Sequence, residues 1–389
     1  MISLLLAFVS IYMSVLFILI YLENEGCMDD PRPSRFPSVD VIVPAYNEEA
    51  HVAQTLSSLL ALEYPGKKKI IFVNDGSTDG TLAAAKKFGG KGVLALDKKN
   101  GGKASALNLG LEHSGSELVA VLDADSVVAP DALLHMVGYF EDGRVAAVTP
   151  MMKVRSSRTP AQLLQRGEYV ANSFMKKILE QIDAITVTPG PFSVYRRKVF
   201  GELGGFDEGT VTEDQEIALR IQRAHYKIAS SCGAVVYTDA PAGLRGLYAQ
   251  RKRWYRGFLE NAWRYRGLFH PSYGDLGMVV LPATLAMIAV GIFSLFYSAY
   301  SVLSAPFALT PGFAPMFFGP TEFVLALAAL ASFALVALAA GRLKENNPVS
   351  LFAACLVMSP ILGAFWLMIL IGAGKDILTG VRMQWKGGA

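Results

Sequence analysis

The 389-residue chain has only three cysteines, Cys27, Cys232 and Cys355. They are too few and too scattered for a disulfide framework or a zinc site, and they fix no compartment. The net charge is only +3, which gives no case for a nucleic-acid partner. P-loop spacing is missing, and no GxGxxG follows the first expected strand. No Lys or Arg precedes the apolar run at residues 2–22, whereas Glu23, Asn24 and Glu25 follow it. A cleaved signal peptide would need a basic start and a small-residue cleavage site. The run is long enough to cross a bilayer core of about 30 Å and reads as a retained membrane helix.

Apolar residues make up 52% of the chain and gather at its two ends. Residues 23–38, with Pro31, Pro33 and Pro37, read as a linker. Strand and helix patterns then alternate. Strands are expected at residues 39–43, 70–73 and 93–96 and in a run ending at Asp123; helices are expected at 49–62, 78–88 and 103–112. That rhythm implies an α/β domain, a mostly parallel sheet with flanking helices, whose strand C-termini share one edge.

The edge is polar. The run from Val119 to Asp125 is a buried-strand pattern ending in Asp123 and Asp125. Residues two apart in an extended chain point the same way, so both carboxylates could face one ligand. Two such close carboxylates call for a cation, and hard oxygens suit Mg²⁺ or Mn²⁺. A plain Asp-rich turn is the alternative. Tyr46 and Glu48 follow the first strand, and Asp75 the second. Asp75 could accept hydrogen bonds from a base or ribose, and Ser77 or Thr78 could cap the next helix. Lys103 starts a helix at the same edge; an exposed helix-start lysine is the bland reading.

Four stretches then carry a resemblance: Val43-Pro-Ala-Tyr-Asn-Glu48, Asn74-Asp-Gly-Ser-Thr-Asp79, Gly102-Lys-Ala-Ser-Ala-Leu-Asn108 and Asp123-Ala-Asp125. Their order resembles that of GT-A family 2 glycosyltransferases, in particular the membrane-embedded processive branch of cellulose, chitin, hyaluronan and poly-N-acetylglucosamine synthases. By this resemblance Tyr46, Glu48 and Asp75 hold uridine, and Lys103 contacts the diphosphate. Asp123 touches the nucleotide, and Asp125 holds the metal, with Asp123 beside it. Thr188-Pro-Gly-Pro matches the family's turn beneath the acceptor sugar, which places Gly190 and Pro191 there; a Pro/Gly hairpin is compatible. Thr212-Glu-Asp opens a helix, with Thr212 the expected N-cap and Asp214 matching the family's general base. Gln250-Arg-Lys-Arg-Trp254 matches the QxxRW signature of processive members. It implies Gln250 and Trp254 at the acceptor and Arg253 at the leaving diphosphate. The alternative is a basic amphipathic helix on a membrane surface, with Trp254 as an anchor.

Residues 277–303, 323–340 and 351–372 are further apolar stretches of spanning length. The loop at 304–321 has no Lys or Arg, whereas 341–348 has Arg342 and Lys344, so the latter faces the cytoplasm. The basic tail with Lys375, Arg382 and Lys386 conflicts with that count, and Pro360 could break the last segment.

The expected organisation is a transmembrane helix at 1–22, a linker at 23–38 and a cytoplasmic catalytic domain at 39–243. An interfacial QxxRW segment at 244–276, three transmembrane segments at 277–374 and a tail at 375–389 follow. The expected activity is metal-dependent, inverting transfer from a UDP-sugar to a growing β-linked polysaccharide at the cell membrane. Glucose and N-acetylglucosamine stay open as the sugar, with the resemblance favouring the latter. Few spans for a polymer path suggest a partner subunit or homodimer. Two alternatives stand beside it: a single-sugar transferase to polyprenyl phosphate or lipid, and a non-catalytic nucleotide-sugar-binding membrane protein.

Overall fold

A computed structural model describes residues 2–286 and, beyond them, 288, 327, 330, 334, 337–343, 365 and 368–380; among these, the side chains of 2–7, 9, 10 and 25 are left aside. Helix α1 (Ile2–Glu23) opens the chain. Among the described residues no helix is long and apolar enough to cross a membrane. The side chains of most of α1's first half, and more than half of the residues in each span expected at 277–303, 323–340 and 351–372, lie outside the described residues.

The first half of the domain follows the sequence pattern closely. The order is β1 (Val39–Ala45), α2 (Val52–Leu60), β2 (Lys68–Asn74), α3 (Thr81–Lys86), β3 (Val93–Asp97), α4 (Lys103–Glu112) and β4 (Leu118–Val121). All residues of β1 and β4 are buried, as strands covered by helices on both faces must be. These strands pair in parallel, β3 on β2, β2 on β1 and β1 on β4.

The second half changes direction. It contains β5 (Val127–Val128), α5 (Ala132–Val137), β6 (Val145–Val154), α6 (Pro160–Glu180), β7 (Ser193–Arg196), α7 (Arg197–Leu203), α8 (Glu213–Arg223), β8 (Lys227–Thr238) and α9 (Leu244–Arg264). The sheet order is β3-β2-β1-β4-β7-β6-β8-β5. Strand β7 runs antiparallel to both β4 and β6, β5 runs antiparallel to β8, and β6 and β8 are parallel. The sheet is therefore mixed rather than mostly parallel. The physical reason is β7, which returns from the 188–191 turn and wedges between the two parallel groups.

Helix α6 starts on a complete cap. The Thr159 hydroxyl accepts from the Gln162 amide, the Gln162 side chain reaches back, and Pro160 sits in the first turn. Residues 23–38 lie against the domain. Asp30 accepts hydrogen bonds from the Tyr139 hydroxyl at 2.8 Å and the Gly233 amide at 2.8 Å, and Arg35 pairs with Glu117. A Cβ on Gly138 would fall 2.1 Å from the Pro31 carbonyl oxygen, so that backbone approach requires glycine.

Candidate active site

Lys103 joins the two halves of the site. It opens α4 beyond the C-terminal edge of the sheet, after Gly102 at φ 93°. Its ammonium lies 2.6 Å from Asp123 Oδ1, just past β4, and 3.0 Å from Glu213 Oε1, at the start of α8. Burial opposes the charge, but Asp123, Glu213 and Asp214 outweigh it and hold the ammonium above its ordinary range. The exposed helix-start alternative fails, since the Lys103 side chain is only 13% exposed.

Gly190 closes over this pair. A Cβ there would meet Lys103 Nζ at 2.5 Å and the Asp123 carboxylate oxygens at 2.7 and 2.8 Å. The turn is fastened from behind, because Thr188 donates to the Asp214 carbonyl through its amide at 3.2 Å and its hydroxyl at 2.8 Å. The Tyr195 hydroxyl donates to Thr188 Oγ1 at 2.9 Å, and Ser193 to the Pro189 carbonyl. Pro191 leads into buried Phe192 at φ 60°.

Asp125 lies within electrostatic reach of that lysine pair. Its carboxyl is pushed up to about 6 by burial first, then by Asp123 and Glu48, with Ser126 and Lys103 opposing. The Ser126 hydroxyl donates to it at 3.0 Å. Excess negative charge in an all-oxygen setting fits a hard divalent cation. Among the described residues no three His, Cys, Asp or Glu side chains are grouped to hold a metal by themselves. Asp123 is engaged by Lys103, so Asp125 is the better placed of the two carboxylates for that task. Glu48 is buried, with His51 Nδ1 at 2.8 Å from its carboxylate, and Tyr46 is half-buried just past β1.

Asp75 is fully buried and tied to the next loop. It pairs with Lys98 at 2.7 Å and accepts the Gly101 and Gly102 amides at 3.0 and 2.8 Å. It thereby shapes the loop that delivers Lys103. The expected caps at Ser77 and Thr78 are not made. Ser77 Oγ accepts the Asn47 amide, Thr78 donates its amide to Asn47 Oδ1, and α3 begins after Gly80. Asn47, at φ 56°, draws both side chains to the facing loop.

Across the site, Asp214 sits in the first turn of α8. Burial and Glu213 push its carboxyl up to about 6, while Lys103, Arg253 and the Gln215 amide pull it down. Glu213 goes the other way: burial raises it, but Lys103 and Arg253 hold it below the usual range. Thr212 occupies the N-cap position without making the side-chain cap. Its hydroxyl instead accepts from Asn261 Nδ2 at 3.1 Å, because α9 packs directly on it. A Cβ on Gly257 of α9 would fall 2.1 Å from Thr212 Oγ1.

Helix α9 thus brings Arg253 within electrostatic reach of Glu213 and Asp214. Trp254 is half-buried and packs on Val154, Tyr169 and Ala240. Gln250 Oε1 is buried with no hydrogen-bond partner among the described residues, a free acceptor. One face of this helix is packed on the domain, where Leu247, Arg251, Arg256, Gly257 and Asn261 are buried. Sequence reasoning missed Glu213, whose only signal was its place beside Asp214. It also missed Lys176 on α6, pushed down to about 8 by burial and eased by Asp214.

Residues 40–204 match the model of glycosyl transferase family 2. The chain is 30% identical over 259 residues to the poly-beta-1,6-N-acetyl-D-glucosamine synthase of Staphylococcus aureus, covering 64% of this chain and 63% of that protein. The synthase of the same name from Staphylococcus epidermidis is 30% identical over 238 residues, 60% of this chain and 58% of that protein. The matched region is thus less than two thirds of the length of these curated relatives. In fold, the chain is similar to the mannosyltransferase PcManGT from Pyrobaculum calidifontis, solved in complex with GDP-Man and Mn2+. The TM-score is 0.60 at 21% identity, over 97% of this chain and 100% of that one. Residues 40–204, which include the strands that build the site, are thus similar to glycosyl transferase family 2, and the chain shares 30% identity with those synthases over the matched region.

Proposed function

We propose that the chain is an inverting, metal-dependent glycosyltransferase that moves a sugar from a UDP donor to the hydroxyl of a growing β-linked polysaccharide at a membrane. The observation that carries this is Lys103, which contacts Asp123 on one side and Glu213, next to Asp214, on the other. A donor diphosphate near Lys103 and an acceptor hydroxyl near Asp214 would then lie on either side of one small space. Kinship to the poly-beta-1,6-N-acetyl-D-glucosamine synthases favours N-acetylglucosamine as the sugar. The metal that PcManGT holds with its nucleotide sugar favours a divalent cation here.

In this reading Tyr46, Glu48 and the loop shaped by Asp75 receive the nucleoside. Asp125, with Asp123 beside it, would hold the cation, which when bound offsets charge on the departing diphosphate. Lys103 and Arg253 add fixed positive charge for the same purpose. Asp214 takes the acceptor's proton as the new C–O bond forms, a role suited to a carboxylate held near 6 rather than at its ordinary value. Glu213 stays ionised and keeps Lys103 in place. Gly190 and Pro191 lie under the reacting sugar, where a side chain would occupy its place. Trp254 offers a flat apolar face, and Gln250 Oε1 an acceptor for a sugar hydroxyl. Membrane attachment rests on the apolar sequence of α1 and of residues 277–303, 323–340 and 351–372, with the catalytic domain in the cytoplasm. A partner subunit or second copy would complete a path for the polymer.

The test incubates membranes holding the full chain with labelled UDP-sugars one at a time and sizes the product. Long product from UDP-N-acetylglucosamine is expected. Product of one added sugar on lipid would replace this reading with the single-sugar transferase.

A further inference from the structure

The QxxRW segment has two intervening positions, and one of them has a specific environment. Arg251 is only 5% exposed, although arginine is rarely buried without a partner. Its guanidinium lies over the Trp254 ring, 4.3 Å from the centroid. The same guanidinium is ion-paired with Glu168, which comes from α6. Tyr169, the next residue on α6, packs in the small cluster that holds Trp254. One turn of α6 therefore reaches the indole twice, through the cluster that includes Tyr169 and through the arginine.

We propose that Glu168 and Arg251 are positioning residues that mount Trp254, and that they govern how long the acceptor chain end is retained rather than how the donor is bound. This rests on the reading of Trp254 as the acceptor platform. A guanidinium is planar and stacks flat on an indole, and a carboxylate fixes its in-plane direction. With Glu168 in place, Arg251 cannot swing away, and the ring keeps one tilt. A sliding sugar needs such a fixed surface: stacking contacts tolerate translation along the face but weaken when the face tips. Neither Glu168 nor Arg251 is among the main charges that act on Lys103, Asp125 and Asp214. Burial raises the Glu168 carboxyl, with Arg251 countering it, as expected for a pair withdrawn from water.

The test uses full-length protein in membranes at matched amounts. Glu168→Gln removes the anchor and keeps the shape. Arg251→Lys keeps the ion pair and removes the flat stack. Both are expected to leave UDP affinity unchanged and to raise acceptor dissociation roughly threefold to tenfold, the scale of one lost cation–π contact. Mean product length should shorten in proportion. Normal product length from either folded variant overturns the inference. If one variant fails to reach the membrane, the other decides, since each removes a different half of the mount. Trp254→Ala separates the two levels. Normal length from that variant sinks the platform reading itself, whereas short product from it with normal length from Glu168→Gln sinks only the mount.

Discussion

Gly190→Ala adds one methyl group at the centre of the site. The new carbon would lie 2.5 Å from Lys103 Nζ and 2.7 Å from Asp123 Oδ2, roughly 1 Å inside comfortable contact. Side-chain ends often move aside cheaply, but these two are held. Lys103 is ion-paired at 2.6 Å to Asp123 and at 3.0 Å to Glu213, and is nearly enclosed. Either that pair opens or the 188–191 turn retreats. Retreat pulls on Asp214, whose carbonyl Thr188 grips twice. Overpacking of this kind costs about 1–3 kcal/mol, or a few degrees of melting temperature in a domain of this size. Transfer should suffer more, because a misplacement of about 1 Å can cost about 10²-fold. Labelled-sugar transfer, UDP affinity and thermal unfolding would be measured together. Gly143→Ala is the control, since a Cβ there meets nothing within 4 Å. Transfer by Gly190→Ala indistinguishable from that control would refute the claim that this turn presses on the Lys103–Asp123 pair.

Asp214→Asn keeps size but cannot accept a proton, so transfer should fall by about 10²-fold or more while UDP titration stays near wild type. Collapsed UDP affinity with surviving turnover would make Asp214 a donor ligand instead. The carboxylate is the active form, and its pKa is raised to about 6 by burial and Glu213 against Lys103, Arg253 and the Gln215 amide. Activity should therefore be flat above that value and fall about tenfold per pH unit below it; an inflection at the ordinary 3.8 would contradict the burial argument. Chelation should abolish transfer and Mg²⁺ or Mn²⁺ restore it, with Asp125→Ala inactive yet folded by circular dichroism; full activity in excess EDTA would remove the metal. Gly257→Ala should lower the melting temperature, because its Cβ would sit 2.1 Å from the stiff side chain of Thr212. The double change with Thr212→Ala should recover part of the loss, since the Thr212 Cβ itself would remain 2.8 Å away, and no recovery would place the clash elsewhere.

The sequence by itself determined the first half of the domain. Short-range patterns suffice there: buried runs alternate with amphipathic ones, so β1 to β4 and the helices between them follow from local periodicity, although α4 carries the chain from β3 across the sheet to β4 beside β1. The motif residues could likewise be picked out: Asp123, Asp125 and Lys103 by their place just past a strand or at a helix start, and Trp254 by the QxxRW string that it closes. Only the tertiary structure decided the direction of β7, since antiparallel insertion between β4 and β6 depends on pairing between residues far apart in the chain. It also decided which partners the polar side chains choose. Thr212 gives up the helix cap because α9 arrives with Asn261, and Ser77 and Thr78 turn to Asn47. Glu213 matters through Lys103, more than a hundred positions away in sequence. Hydrogen-bond and charge partners are settled by distance in space, and a linear pattern carries no such distance.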